Sequence, residues 1–197
     1  MLIEQAGKGD EQAFEQLVRR YEKMVYNICL KMTVDREEAF DLSQETFIKA
    51  WHAISLFQFD SKFTTWLCRV ASNTCIDYLR KQKKHKNLSL TSLDDDETPY
   101  EREIADSQFD PAVMAERTAD SEAVKEAFRS LPDQDRLILS LRAVEDMSYQ
   151  EIGEALNLKP GTVKSRIARA REKIRRSFDG NFPAEIASDK GKGGARR

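Results

Sequence analysis

Residues 148–176 read SYQEIGEALNLKPGTVKSRIARAREKIRR, and this stretch predicts two helices joined by a tight turn. Ser148 and Glu151 have the spacing of a capping box, in which the serine hydroxyl accepts from the backbone N–H of the glutamate and the glutamate carboxylate accepts from the N–H of the serine. Met147 and Ile152 stand at the two positions of a hydrophobic staple around the same helix start. The beginning of the first helix is therefore marked twice.

The second helix of this stretch predicts a DNA-binding surface. We expect the first helix to end near Asn157 and the second to start at Pro160, whose missing N–H costs nothing in a first turn. The apolar residues of the second helix share a narrow arc that should pack on the first helix: Val163, Ile167, Ala170 and Ile174. The opposite face combines small and charged residues: Ser165, Ala168, Arg169, Glu172 and Arg176. Such a face can enter the major groove of DNA, so we predict a helix-turn-helix; the alternative is a solvated basic helix on an ordinary bundle.

The net charge of −2 conceals strongly charged segments. Residues 80–86 contain five bases and no acid, and residues 162–176 contain seven bases against one glutamate. Residues 87–122 contain eleven acids and two bases, a charge of −9. The sequence therefore predicts two basic surfaces separated by an acidic linker, which is either a solubilising tether or a strap that occupies a groove built for phosphates.

The composition argues against several functional classes. The chain has no apolar run long enough to span a bilayer and no signal-peptide pattern, so we expect a cytoplasmic protein without membrane insertion. Its three cysteines, Cys29, Cys68 and Cys75, contain no CxxC pair and have only two histidines as possible helpers. We expect buried thiols rather than a metal site or a structural disulfide. No Gly-rich phosphate loop, paired catalytic carboxylates or nucleophile–histidine set occurs, so neither an enzyme nor a bound cofactor is predicted.

The first half of the chain is predicted to be helical. After a loose end through Gly7 and Gly9, Asp10 is a candidate N-cap, and no glycine or proline follows until after Thr98. Apolar residues then recur at helical spacing: Phe14, Leu17, Val18, Tyr21, Val25 and Ile28. Strand-like alternation is absent there, so the predicted fold class is all-α, with two small helical domains joined by the acidic linker.

A second helix is predicted after Asp35, and it carries a polar stripe formed by Asp41, Gln44, Glu45 and Lys49. Large apolar residues flank the stripe: Phe40, Phe47, Ile48 and Trp51. The residues alone leave two interpretations open, a solvated helix face or a surface on which a partner docks.

An aromatic cluster precedes the first basic segment and consists of Phe57, Phe59, Phe63 and Trp66. Aromatic rings beside lysines can stack unpaired bases while the lysines hold the backbone. In the alternative interpretation the rings belong to the core and the lysines only favour the C-terminal dipole of a helix. For Trp66, Leu67 and Val70 we expect the core.

The order of these segments resembles the extracytoplasmic-function (ECF) sigma factors of bacterial RNA polymerase. The resemblance is carried by DREEAFDLSQETFIKAW, FTTWLCRVASNTCIDYLRK, the acidic linker, SLPDQDRLILSLR and the helix-turn-helix, and it covers about residues 9–178. It implies sigma region two over residues 1–86, a linker over 87–122, sigma region four over 123–178 and a flexible tail over 179–197.

The resemblance also implies roles for individual residues. The motif that grips the β′ clamp helices of the polymerase matches Asp41, Gln44 and Glu45, which favours docking for the polar stripe. The loop from Phe57 to Thr65 matches the one that captures a base flipped out of the minus-ten element, and Ser61, Lys62 and Phe63 would wall that pocket. The helix that faces minus-ten DNA would present Asn73, Asp77, Arg80 and Lys81. The minus-thirty-five element would be read by Lys164, Ser165 and Arg169.

The implied partners are core RNA polymerase, through its β′ clamp helices and its β subunit, promoter DNA, and an anti-sigma factor that is often membrane-anchored in this family. Two other classes of protein remain as alternatives. One is a stand-alone regulator that uses the helix-turn-helix as a dimer. The other is an adaptor that binds polymerase or an anti-sigma factor without promoter specificity.

Overall fold

The computed structural model describes residues 1–33, 35–89, 126–144 and 146–176. In this part of the chain there are helices and no strands, which confirms the all-α prediction. The helices are α1 (Leu2–Gly7), α2 (Glu11–Thr33), α3 (Arg36–Ala53), α4 (Phe63–Ser89), α5 (Asp133–Val144), α6 (Tyr149–Leu156) and α7 (Pro160–Arg176). A 3₁₀ turn, Ile54–Leu56, follows α3, and residues 126–129 form one further helical turn. The predicted linker beyond Ser89 and the predicted tail lie outside the described residues.

The chain begins with a helix where the sequence predicted a loose end. Helix α1 forms because Ala6 is buried and Gly7 lies against the 3₁₀ turn, where an added Cβ would be 3.6 Å from the carbonyl oxygen of Ile54. Gly9, with φ +92°, then turns the chain into α2. The predicted cap at Asp10 is confirmed, since its Oδ1 accepts from the N–H of Ala13 at 3.0 Å.

Helices α2, α3 and α4 pack together and, with α1, form the N-terminal half, residues 1–89. The side chain of Asp35 caps α3 by accepting from the backbone N–H groups of Glu37 and Glu38 at 2.8 and 3.0 Å. The core of this half is formed by buried residues of all three helices: Leu17, Val25, Ile28, Met32, Leu42, Ala50, Leu67 and Ala71. Helix α4 continues to Ser89, past the domain boundary predicted at Lys86.

All three cysteines are buried in this core, as expected for structural thiols. The Sγ atoms of Cys29 and Cys75 are 3.8 Å apart, on α2 and α4. This hydrogen bond, together with burial, raises the pKa of the Cys75 thiol. A thiol held in its neutral form is a weak nucleophile, so Cys75 acts as a packing group.

Helices α5, α6 and α7 form the C-terminal half, residues 126–176, and confirm the prediction made from residues 148–176. Ser148 and Glu151 form the capping box, and Asn157 ends α6 in the left-handed conformation with φ 54°. Gly153 lies in α6 and allows the turn to pack closely against it, because a Cβ there would lie 2.5 Å from the carbonyl oxygen of Leu158. Helix α7 starts at Pro160 and buries the predicted arc: Val163, Ile167, Ala170 and Ile174.

The two halves pack against each other. Helix α5 contacts α2 and α4, and α6 contacts α4. Arg136 of α5 is buried and pairs with Asp133 at 3.2 Å, and burial lowers its pKa. None of the helices in the described ranges is long and apolar enough to cross a membrane.

Candidate functional sites: recognition helix, docking face and aromatic loop

The outward face of α7 is exposed to solvent. Lys164, Ser165 and Arg169 are all exposed on it, as the sequence predicted for a recognition helix. A shallow groove of about 390 Å³ runs along this face, lined by Ala168, Arg169, Glu172, Lys173 and Arg176. The small side chain of Ala168 leaves room for base edges, and the flanking cations match phosphates and guanine acceptors.

Two of the cations on α7 also bind groups elsewhere in the C-terminal half and so hold the helix in place. The Arg166 guanidinium lies 3.7 Å from the carboxylate of Asp135 on α5, and it also donates to the side-chain amide oxygen of Gln134. Lys173 Nζ donates to the carbonyl oxygen of Ser130 at 2.7 Å. The sequence pattern indicates both residues only as basic charge on the helix, because the local sequence contains no sign of a partner on another segment.

The predicted docking stripe lies on the exposed side of α3, where Asp41, Gln44 and Glu45 all face solvent. Glu45 pairs with Lys49 at 2.7 Å. Two large apolar residues on the same helix are also open to solvent, Phe40 at 56% and Ile48 at 58% of their surface. We call these five residues, Phe40, Asp41, Gln44, Glu45 and Ile48, the docking face.

A shallow cavity of about 560 Å³ borders the docking face, lined by Tyr26, Arg36, Glu37, Phe40 and Asp41. Exposed apolar groups with a polar surround mark surfaces that bind other proteins. The exposure of Phe40 and Ile48 therefore favours docking over a solvated helix face, and sequence periodicity alone could not have assigned it.

The aromatic loop, residues 57–62, joins the 3₁₀ turn to α4, and the predicted cluster divides there into core and surface. Phe57 and Phe63 are buried, at 7% and 6% exposure, and their ring centroids are 5.8 Å apart. Trp66 is half-buried and packs on both rings, at 5.5 and 5.4 Å. Phe59 alone of the four is exposed. The core interpretation therefore holds for Phe57 and Phe63, and base stacking stays a prediction that only the exposed ring of Phe59 could serve.

The remaining residues predicted to face the minus-ten element lie along one side of α4. Asn73, Arg80 and Lys81 are exposed, and Asp77 is half-buried and pairs with Arg80 at 2.9 Å. Ser61 is half-buried and Lys62 is exposed at the start of the same helix. Phe63, in contrast, is part of the core and could support the loop from inside.

Cations of the N-terminal half are engaged by the C-terminal half. Lys62 Nζ is 2.7 Å from Glu151 Oε1, the Arg69 guanidinium donates to the carbonyl oxygen of Glu154 at 2.6 Å, and Lys83 Nζ is 2.6 Å from Asp133 Oδ2. These partners are 89, 85 and 50 residues apart in sequence, so no local pattern indicates them. We call these three pairs the interhalf contacts.

Glu151 takes part in both the capping box and the interhalf contacts. Its Oε2 accepts from the backbone N–H of Ser148 at 2.9 Å, while its Oε1 faces Lys62. The hydrogen bonds from Lys62 and from the Ser148 backbone lower the pKa of Glu151 to about 2. The carboxylate is therefore ionised throughout the neutral range. It forms an ion pair with the Lys62 ammonium, as a DNA phosphate would.

These features define a class of protein, a two-part helical DNA-binding protein with a separate face for a protein partner. Two family descriptions match the chain, Sigma-70 region 2 over residues 17–85 and Sigma-70 region 4 over residues 121–174. The ECF RNA polymerase sigma factor SigW of Bacillus subtilis is 37% identical over 179 residues, which cover 89% of this chain and 94% of SigW. The ECF RNA polymerase sigma-E factor of Escherichia coli K12 is 36% identical over 178 residues, which cover 88% of this chain and 91% of that protein.

A solved structure gives the same result. CnrH, in complex with the cytosolic domain of CnrY, superimposes with a TM-score of 0.65 at 26% identity, covering 92% of this chain and 97% of CnrH. The chain belongs to the ECF sigma factors. A sigma factor is a transcription initiation factor and not an enzyme, and it binds core RNA polymerase and promoter DNA.

Proposed function

We propose that this sigma factor divides promoter recognition among three surfaces. The docking face binds the β′ clamp helices through Asp41, Gln44 and Glu45. Residues on the exposed side of α4 face the minus-ten element: Asn73, Asp77, Arg80 and Lys81. The outward face of α7 reads the minus-thirty-five element through Lys164, Ser165 and Arg169. The observation that carries this proposal is the exposure of that face together with the groove along it.

The chemistry of α7 fits base reading in a major groove. Arginine can donate two hydrogen bonds to the O6 and N7 atoms of guanine, while lysine at the edge of the helix binds phosphate. Arg169 Nε lies 3.4 Å from the carbonyl oxygen of Ser165, which keeps the side chain along the helix surface. We assign Arg169 to a base and Lys164 to the backbone of the DNA.

Use of Lys62 and Arg69 at the minus-ten element requires the two halves to separate. Lys62 and Arg69 cannot bind DNA phosphates while they are bound to Glu151 and to the carbonyl oxygen of Glu154. Exposed ion pairs contribute only about 0–1 kcal/mol each, so binding to polymerase can break them at small cost. We propose that docking of sigma region two on the β′ clamp helices and of sigma region four on the β subunit drives this separation.

Strand opening then needs no nucleotide hydrolysis by this chain. Unstacking a base costs a few kcal/mol, and stacking and backbone contacts to the captured strand offset that cost. Core polymerase supplies the chemistry of RNA synthesis. The acidic linker, residues 87–122, then connects regions two and four within the polymerase.

We also propose control by an anti-sigma factor. One similar structure is that of CnrH in complex with the cytosolic domain of CnrY, and another is that of RpoE from Bartonella quintana in complex with the anti-sigma factor NepR. An anti-sigma factor of this chain would be either soluble or membrane-anchored, and the sigma factor itself would act in the cytoplasm.

The test is run-off transcription by core polymerase with and without the protein, on a pool of promoters randomised in both elements. Enrichment of a two-part motif is the expected result. If core gains no initiation activity while the protein binds duplex DNA, a stand-alone regulator is the better account. If Arg169→Ala leaves the promoter preference unchanged, an adaptor without promoter specificity is the better account.

A further inference from the structure

Arg136 of α5 is a buried cation whose hydrogen bonds are incompletely satisfied. It alone of the charged residues that the structure describes is buried, at 7% exposure. Its Nη2 pairs with Asp133 at 3.2 Å, and its Nη1 donates to the carbonyl oxygen of Arg129 at 3.5 Å, which is long for a hydrogen bond. Its Nε–H has no partner within the described ranges. A buried charge with an unpaired donor costs free energy unless another interaction offsets it.

This cation lies where the two halves pack together. Helix α5 is buried on all sides over residues 136–141, because α2 and α4 contact it from the N-terminal half and α6 and α7 from its own half. Asp133 marks the side that faces α4, since its Oδ2 accepts from Lys83 at 2.6 Å. Arg136 lies three residues further along, on the same side of the helix. Separation of the halves therefore exposes this side of α5 to water.

The charges at this contact do not balance. The Asp133 carboxylate serves two cations, with one oxygen on Lys83 and the other on Arg136. The Lys83 side chain is 66% exposed and stays hydrated, whereas Arg136 is removed from water. Burial lowers the pKa of Arg136 although the Asp133 carboxylate acts in the opposite direction. Desolvation of the guanidinium thus outweighs its attraction to the carboxylate.

We propose that Arg136 is a destabilising group in the contact between the halves, and that it keeps their separation accessible. While the halves are together, the guanidinium is desolvated and only partly paired. When they separate, water solvates it, and this gain offsets part of the apolar contact that α5 loses. The inference rests on the proposed function, because it assigns one residue to the separation that polymerase binding is proposed to drive.

Apolar replacements of Arg136 test the first consequence. Arg136→Met and Arg136→Leu keep most of the side-chain volume, and Asp133 keeps Lys83 as its partner, so neither leaves an unpaired buried charge. The closed form should be favoured at least about fivefold. Because core polymerase binds the separated form, its association should slow by the same factor while dissociation is unchanged. Arg175→Met, which changes an exposed arginine paired with Glu172 within α7, should keep the wild-type rates.

Asp133→Asn should shift the equilibrium in the opposite direction. It leaves both Arg136 and Lys83 without a carboxylate, so the separated form of the free chain should rise at least about fivefold. Energy transfer between dyes on the two halves measures this population. In an Arg136→Met background the same change should open the halves less, and the difference gives the coupling between the two residues.

Stopped-flow fluorescence of the labelled full chain with core polymerase gives both rate constants, and circular dichroism checks the fold. Slower association at unchanged dissociation is the expected result for both apolar variants. Association as fast as wild type, or loss of fold in both variants, would overturn the inference, because the charge would then be neutral or stabilising. Faster dissociation alone would also overturn it, since Arg136 would then contact polymerase directly.

Failure of the proposed function can be distinguished from failure of this inference. If the halves of the wild-type chain stay together on core polymerase, the proposed separation is wrong. The comparison of Asp133→Asn with and without Arg136→Met uses the free chain only, so it still measures the imbalance of charge. Equal opening by Asp133→Asn in the two backgrounds would contradict the role given to Arg136.

Discussion

Helices α7 and α4 both carry cations, but they present them differently. On α7, Lys164 and Arg169 are exposed. On α4 and at its start, Lys62, Arg69 and Lys83 are bound to groups of the C-terminal half. The surface proposed to read the upstream element is therefore exposed in this conformation. Near the surface proposed to read the downstream element, Lys62, Arg69 and Lys83 become available only after the halves separate, while Asn73, Arg80 and Lys81 are already exposed.

Distortion of the α6–α7 turn should give the largest effect, because it displaces α7 and with it the exposed face proposed to read the upstream element. Gly153→Ala places a Cβ 2.5 Å from the backbone oxygen of Leu158, so the turn must open. We expect a loss of about 1–3 kcal/mol in stability and loss of upstream-element recognition. Thermal unfolding and binding to upstream duplex DNA measure the two effects.

Gly161→Ala is the control for that change, since an added Cβ at Gly161 meets nothing within 4 Å. It should stabilise α7 by roughly 0.5–1 kcal/mol and leave DNA binding intact. Equal behaviour of the two alanine variants would contradict the role given to the turn.

The docking face should give the next largest effect, on polymerase and not on DNA. Asp41→Ala with Gln44→Ala should weaken binding to core polymerase by about 2 kcal/mol, the loss typical of interface hot spots. Fluorescence anisotropy with labelled protein measures this affinity. Glu15→Ala, which removes an exposed carboxylate paired with Arg19 on α2, should have no effect. Loss of helical circular dichroism in the double variant would show that the stripe is structural.

Arg169→Ala should lower discrimination at the upstream element by about 1–3 kcal/mol and relax the preference at one base pair. Arg175→Ala is its matched control, because this exposed arginine pairs with Glu172 at 2.6 Å and is not assigned to a base. It should weaken binding only through charge, equally for all sequences. Selection from the randomised promoter pool with each variant tests this difference. The assignment of Arg169 to a base fails if Arg169→Ala selects the wild-type motif.

The interhalf contacts should give the smallest effect. Lys83→Gln removes the pair with Asp133, which as an exposed ion pair contributes about 0.2–1 kcal/mol. The population of separated halves should rise by no more than about fivefold. Energy transfer between dyes on the two halves of the free chain measures it, with the exposed neighbour Lys84→Gln as the control. An increase as large with Lys84→Gln would exclude a specific role for the pair.

Local signals predicted the helix-turn-helix almost completely. The capping box, the end of α6 near Asn157 and the proline start of α7 are all short-range features, and the structure has each where the sequence placed it. Helix α1 was missed because its stability comes from packing of Ala6 and Gly7 and not from its own pattern.

Features that depend on distant residues could not be predicted. The interhalf contacts join exposed lysines and arginines to partners far along the chain, and surface cations have no periodicity to indicate this. In the aromatic loop, composition indicated stacking residues but could not separate buried Phe63 from exposed Phe59. The left-handed conformation of Phe59 is known only from the backbone.

The most direct test of the account is the distance between the two halves, free and on polymerase. Dyes on cysteines introduced at the exposed positions Lys8 and Lys164 report it, and the native cysteines are buried and should not react. The account predicts strong energy transfer in the free chain and a large decrease when core polymerase binds, before promoter DNA is added. Equal energy transfer in the two states would contradict it, because the downstream surface would then remain engaged in the holoenzyme.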